Sequence, residues 1–164
     1  MKKWYNMKKT GDVADVYIYN EIGYFGITAS QFIADLMGLG EPKTINVHIN
    51  SLGGDVFDGI AIYNTLLQNP ATINIIIEGV AASIASVIAM AGDKVSMFET
   101  AMFMVHKPWT IAVGNSKDME KSAEILDKIQ DSIKAAYKSE RLRKNARRCG
   151  RWALKKLSLT KERL

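Results

Sequence analysis

Apolar and polar residues alternate through positions 15–20 and again through 44–50 (TINVHIN), the period of strands with one face turned inward. Residues 72–77 form a nearly continuous apolar run, the pattern of a strand in a sheet covered on both faces. Between them, residues 31–37 carry helical spacing, with Thr28 or Ser30 as the cap and Gly38 and Gly40 as the stop. A second helix is predicted over 55–68, ended at Asn69-Pro70 because proline cannot continue the hydrogen-bond ladder. The small and branched apolar residues of 81–91 predict a short buried helix, followed by two short strands over 94–98 and 101–106. Residues 117–139 form a long amphipathic helix with Met119, Ala123, Leu126, Ile129, Ile133 and Tyr137 along one face. Strands alternating with helices define an α/β layered fold, and no internal repeat interrupts it.

Length and charge refine this picture. The 164 residues fit one domain with a sizeable core. Residues 1–140 hold 12 Lys+Arg against 16 Asp+Glu, net −4, whereas residues 141–164 hold 10 against the single Glu162, net +9. The overall charge of +5 therefore belongs to the tail, and 140/141 is the strongest boundary in composition. Such a run is expected to be solvated surface rather than a nucleic-acid interface. A single cysteine, Cys149, excludes an internal disulfide framework and a multi-cysteine metal site, which points to a reduced, cytoplasmic setting. The first residues lack the apolar core of a secretory signal. The apolar stretch 73–92 is broken by Asn74, Glu78 and Gly79, so it reads as strand, turn and helix, not a membrane span. No metal, organic cofactor or GxxxxGK phosphate loop is indicated, so any ATP dependence must come from a partner.

Three segments can carry chemistry. In Asn50-Ser51-Leu52-Gly53-Gly54-Asp55 a strand enters a double glycine before a helix, leaving N–H groups able to face an oxyanion or a phosphate. Taken alone, such a pair is usually a plain turn. In Gly79-Val80-Ala81-Ala82-Ser83-Ile84-Ala85-Ser86 a strand ends at a glycine and Ser83 opens a buried helix, where the dipole favours developing negative charge. The competing interpretation of Ser83 is a structural helix cap. His106 follows the run Phe103-Met104-Val105; the only other histidine, His48, alternates within the 44–50 strand. A serine hydroxyl is a poor nucleophile at neutral pH and needs a base, and histidine titrates in the right range.

The runs INSLGGDVFDGIAIYNTL, GVAASIASVIAMAGD and MFMVHKP, in this order and spacing, resemble the Clp protease proteolytic subunit, nearest the prophage-encoded head maturation proteases, over about residues 12–140. The resemblance implies a Clp/crotonase-like spiral of β-β-α units with a long handle helix through which two rings of subunits stack. It implies Ser83 as nucleophile and His106 as base. Backbone N–H groups of Gly54 and Ile84 would form the oxyanion hole, with Gly53 shaping the turn. Residues 107–115 would line a groove in which a polypeptide substrate lies as an added strand. The implied partners are further copies of the chain, an ATP-dependent unfoldase for housekeeping relatives, and capsid or scaffold proteins for phage relatives.

The family's third catalytic residue, an acid beyond the handle, has no counterpart: no Asp follows Asp131, and Glu162 is a poor substitute near the chain's end. Residues 141–164 do not resemble the corresponding family segment, and a frame change near Glu140 would produce such a break. An inactive assembly subunit is one alternative, and a crotonase-like acyl-CoA enzyme another, although the latter has no use for Ser83 or His106. A Ser–Lys dyad through Lys107 is set aside because adjacent strand residues face opposite sides. Tyr17, Tyr19, Tyr63, Met102 and Met104 read as core or interface residues, and Asp55 and Asp58 as cap and solvated surface of their helix.

Overall fold

A computed structural model describes residues 3–23 and 27–138. The residues 141–164 set apart by charge, with Glu162 and Cys149, lie outside them. The chain runs β1 (Tyr5–Thr10), β2 (Val13–Ile18), α1 (Ala29–Gly38), β3 (Thr44–Ser51), α2 (Val56–Gln68), β4 (Thr72–Ala82), α3 (Ile84–Ile88) with a 3-10 turn (Ala89–Ala91), β5 (Lys94–Met97), β6 (Met102–Met104) and α4 (Ser116–Tyr137). The main ladder has the order β1-β2-β3-β4-β5; β2 to β5 are parallel and β1 is antiparallel to β2.

A second, shorter ladder starts where the first stops. Ile22 bridges Gly54, Ser51 pairs with Ala81 after a register shift, and Val80–Ala82 pairs with Met102–Met104. Each pass of the chain thus adds one segment to the long ladder and one to the short ladder, then a helix. This is the β-β-α spiral, and it corrects one local expectation. The strand does not end at Gly79; β4 continues to Ala82 because its last residues find new partners on both sides. A Cβ at Gly79 would lie 2.4 Å from Asn50 Oδ1, so the glycine serves close strand packing rather than a turn.

Inward positions of β2, β3 and β4 (Ala14, Val16, Ile18; Ile45, Val47, Ile49; Ile73, Ile75, Ile77) are fully buried in one cluster with Phe32 of α1, Ile62 and Leu66 of α2 and Ile88 of α3. The opposite face is polar and half-buried, so β4 is not covered on both sides as its apolar run suggested. There Asn46 donates to Asp15, Asn74 donates to Asn46, and His48 lies 2.7 Å from Glu78 and stacks on Tyr17. His48 is thereby occupied in a structural network on the sheet. Of the residues read as core or interface, Tyr63 is buried, while Tyr19, Met102 and Met104 are exposed. The 73–92 stretch resolves into strand and short helix, and among the described residues no helix is long and apolar enough to cross a membrane.

The helices meet through small residues. Gly59 of α2 faces Ile84 of α3, and a Cβ there would lie 2.1 Å from Ile84 Cγ1. Gly59→Ala is expected to destabilise the fold by about 1–3 kcal/mol through overpacking, lowering Tm by several degrees. Ile84→Ala removes the opposing atoms but also a buried core side chain, so the double variant is expected to lose less than the sum of the two single losses. Thermal melts of the single and double variants check this.

Candidate active site

Both ladders deliver their loops to one end of the sheet. β3 runs through Ser51 into Gly53 and Gly54, which adopt φ +107 and +142, conformations that residues with a Cβ rarely enter. Ser51 is buried, donates to Asn20 O and accepts from Gly53 N–H at 3.1 Å, which fixes the approach to the turn. Ile22 N–H donates to Gly53 O at 2.7 Å and Asp55 N–H donates to Ile22 O at 2.9 Å. In a parallel bridge of this form the middle residue turns its own N–H away from the partner strand. Gly54 N–H therefore faces away from Ile22, and among the described residues it has no hydrogen-bond partner. A Cβ at Gly54 would lie 2.1 Å from Ile22 O, so only glycine fits. Asp55 caps α2, its Oδ1 accepting from Phe57 and Asp58 N–H at 2.9 Å, as the sequence predicted.

Ser83 sits between β4 and α3. It is the sole non-glycine residue with positive φ among the described residues, at φ 53 and ψ −130. It occupies the cap position of α3, yet its hydroxyl makes no capping hydrogen bond, which removes the structural explanation for a serine there. Its N–H donates to Met104 O and its carbonyl accepts from Ser86 N–H, both at 3.0 Å. A Cβ on Gly53 would be 2.6 Å from Ser83 Cβ and 3.2 Å from its Oγ, so the glycine loop lies directly against the hydroxyl. Ile84 N–H, next in the chain, also has no hydrogen-bond partner among the described residues. A rarely populated backbone, held by flanking hydrogen bonds, is the form in which folds store strain at functional positions.

His106 lies two residues beyond the end of β6, not on the strand itself. β6 ends at Met104 because its partner, β4, offers only Val80–Ala82. The strand-alternation reason for preferring His106 over Lys107 therefore does not apply. The two differ in position: His106 lines the same cleft as Ser83, Ile84 and Gly54, and Lys107 does not. Among the described residues, the His106 ring has no hydrogen bond to Ser83 or to any carboxylate. Catalytic hydrogen bonds are commonly long before substrate binds.

The cleft has a volume of about 590 Å³. Its far wall is the apolar face of α4, with Ile125, Leu126, Ile129 and Ile133; its rim is 108–113, where Trp109, Ile111 and Val113 are highly exposed. The sequence places Tyr137 on the apolar face of its helix and Ser86 in the segment after Ser83, but a hydrogen bond between residues 51 positions apart leaves no local pattern to read. Burial pushes the Tyr137 phenol up to about 12 from an ordinary 10.0. An acid with a raised folded-state pKa contributes stability below its unfolded pKa and loses it as pH climbs toward the folded one. From pH 10 to 12, this group is expected to withdraw about 3 kcal/mol, two pK units at 1.36 kcal/mol each. Tyr137→Phe should lack that part of the alkaline decline, as urea titrations of both proteins at pH 9 and pH 12 can measure.

The cleft brings together a strained serine, a histidine, two unpartnered backbone N–H groups and an apolar groove, the constituents of an acyl-transfer hydrolase. Comparison with known proteins places it more narrowly. The Clp protease family profile matches residues 3–147, and the chain belongs to that family. The match takes in residues 141–147, which the charge break had set apart. The chain is 38% identical over 110 residues to the ATP-dependent Clp protease proteolytic subunit of Ligilactobacillus salivarius, covering 64% of this chain and 56% of that protein. The subunit of the same description from Deinococcus radiodurans is 32% identical over 114 residues, covering 66% and 56% respectively. For Bacteroides fragilis the figures are 36% over 93 residues, 56% and 45%. The chain spans about half the length of these curated relatives.

Proposed function

We propose that the chain is a serine endopeptidase in which Ser83 attacks the peptide carbonyl and His106 takes the hydroxyl proton. The reading rests most on one observation: Ser83 has a strained backbone and an uncommitted hydroxyl, packed against Gly53 in a cleft that also contains His106. Family membership supports serine peptidase chemistry in general.

The steps follow from the elements. Substrate lies along 108–113 as an extended segment, with an apolar side chain entering the space beside Ile125 and Ile129. Ser83 Oγ forms the acyl bond while its proton passes to the His106 ring, which returns it to the leaving amine. The tetrahedral oxyanion sits against the N–H groups of Gly54 and Ile84, near the N-terminus of α3. Gly53 permits the turn and the close approach to Ser83. Water then hydrolyses the acyl-enzyme. The acid that would orient His106 is unassigned; without one, turnover is expected to be about 10⁴-fold lower than in a complete triad. Residues 1–140 form the peptidase unit and 141–164 a basic extension. Further copies of the chain, and an ATP-dependent unfoldase or phage capsid proteins, are the partners that this reading carries.

The reaction class can be tested directly. The purified full chain should hydrolyse an unstructured fluorogenic peptide carrying an apolar residue before the scissile bond, and should not prefer an acyl thioester. Thioester hydrolysis without peptide cleavage would replace this reading with the crotonase-like one.

A further inference from the structure

The long helix α4 reaches the serine elbow through its last turn. Tyr137 Oη lies 2.6 Å from Ser86 Oγ, and Ser86 Oγ is hydrogen-bonded to the main-chain carbonyl of Ser83. A carbonyl only accepts, so Ser86 spends its single proton on Ser83, and Tyr137 must be the donor in its own bond. The direction of the chain is therefore fixed: Tyr137 O–H to Ser86 Oγ, then Ser86 O–H to Ser83 C=O. The same carbonyl accepts Ser86 N–H at 3.0 Å, and Ser83 N–H is held by Met104 O. Both main-chain polar groups of residue 83 are anchored while its φ is 53. A backbone in that conformation persists only where its surroundings over-determine it.

A plainer explanation exists for each half. Serines near helix starts often bond back to a carbonyl three residues earlier, and a buried phenol takes whatever partner is in reach. Three features weigh against coincidence. Ser86 is fully buried (0% exposed), so its hydroxyl has no solvent alternative. The buried positions preceding Tyr137 on α4 are Ile129, Ile133 and Ala136, an apolar stripe that phenylalanine would continue without needing a partner. The chain also ends on the one strained non-glycine residue among the described ones.

We infer that Tyr137 and Ser86 are positioning residues, a two-hydroxyl tether that ties α4 to the Ser83 carbonyl and holds the elbow in its reactive conformation. The inference depends on Ser83 being the nucleophile, and its test separates the two claims. Native protein, Tyr137→Phe, Ser86→Ala and the double variant are compared by amide exchange and by labelling with a fluorophosphonate probe. In either single variant, exchange across residues 82–88 is expected to rise about tenfold while β3 stays unchanged. The maximal labelling rate should fall about tenfold with the probe's half-saturating concentration within twofold. The double variant should be no slower than the worse single, because both break the same chain. Ser86→Ala is the more damaging, since it leaves the buried Tyr137 hydroxyl unpaired.

Unchanged exchange at 82–88 together with an unchanged labelling rate in Tyr137→Phe would overturn the tether and leave the nucleophile assignment standing. A shifted half-saturation at constant maximal rate would also overturn it, making Tyr137 a wall of the cleft only. Raised exchange with no labelling of native protein would uphold the tether and refute the assignment of Ser83.

Discussion

Ser83→Ala is expected to reduce peptide hydrolysis by about 10²-fold, because about 10⁴ of the roughly 10⁶-fold contribution of a complete triad is already absent when no acid orients His106. The change isolates chemistry from folding. Alanine and serine have similar difficulty at φ 53, and the serine hydroxyl makes no capping bond whose loss would weaken α3. Stability should therefore stay within about 0.5 kcal/mol of native, and circular dichroism melts would verify it. His106→Ala should lose a comparable amount, and the double variant no more than either single, because nucleophile and base act as one unit. A companion variant probes the strain itself. Ser83→Gly removes the same hydroxyl but suits positive φ, so it should melt above Ser83→Ala while remaining equally inactive. Full hydrolysis in Ser83→Ala would reject the mechanism outright.

Gly54→Ala is expected to cost about 100- to 1,000-fold in kcat, the loss associated with one oxyanion donor. The cause is steric. The new methyl would meet Ile22 O at 2.1 Å and Ile22 N at 2.6 Å, both backbone atoms of a bridged strand. Neither atom can yield without breaking the Ile22–Gly53 and Asp55–Ile22 bonds that aim the Gly54 N–H. The loop must swing, and the donor goes with it. Because the N–H is asked to bind the developing oxyanion, KM should change much less than kcat. Gly53→Ala acts on a different contact, pressing on Ser83 Cβ at 2.6 Å, and should lower the rate by moving the nucleophile. Native kcat in Gly54→Ala would remove the backbone-donor role.

Much of this site was legible because its parts are local. The double glycine after an alternating strand, the small residues leading to Ser83 and the histidine after an apolar strand each occupy a few consecutive positions. The capping carboxylate of Asp55 was readable for the same reason. Other features depend on contacts distant in sequence. β1 escaped notice because YNMKKT buries only Tyr5, and its strand character comes from antiparallel pairing with β2. The continuation of β4 past Gly79 depends on Ser51 and on Met102–Met104, which no window around Gly79 contains. The polar face of β2, β3 and β4 was masked at Ile76, whose neighbours Asn74 and Glu78 carry the alternation that a run of isoleucines hides. The Tyr137–Ser86 bond joins an amphipathic stripe to a helix start, and each end looks ordinary by itself.

The central claim is that the Ser83 hydroxyl is the reacting atom of the cleft. Reaction of the full chain with a fluorophosphonate, followed by proteolytic digestion and mass spectrometry, addresses it most directly. A single phosphonyl adduct on Ser83, absent from Ser83→Ala and formed more slowly in His106→Ala, is the predicted result. An adduct on another residue, or equal labelling of Ser83→Ala, would contradict the assignment.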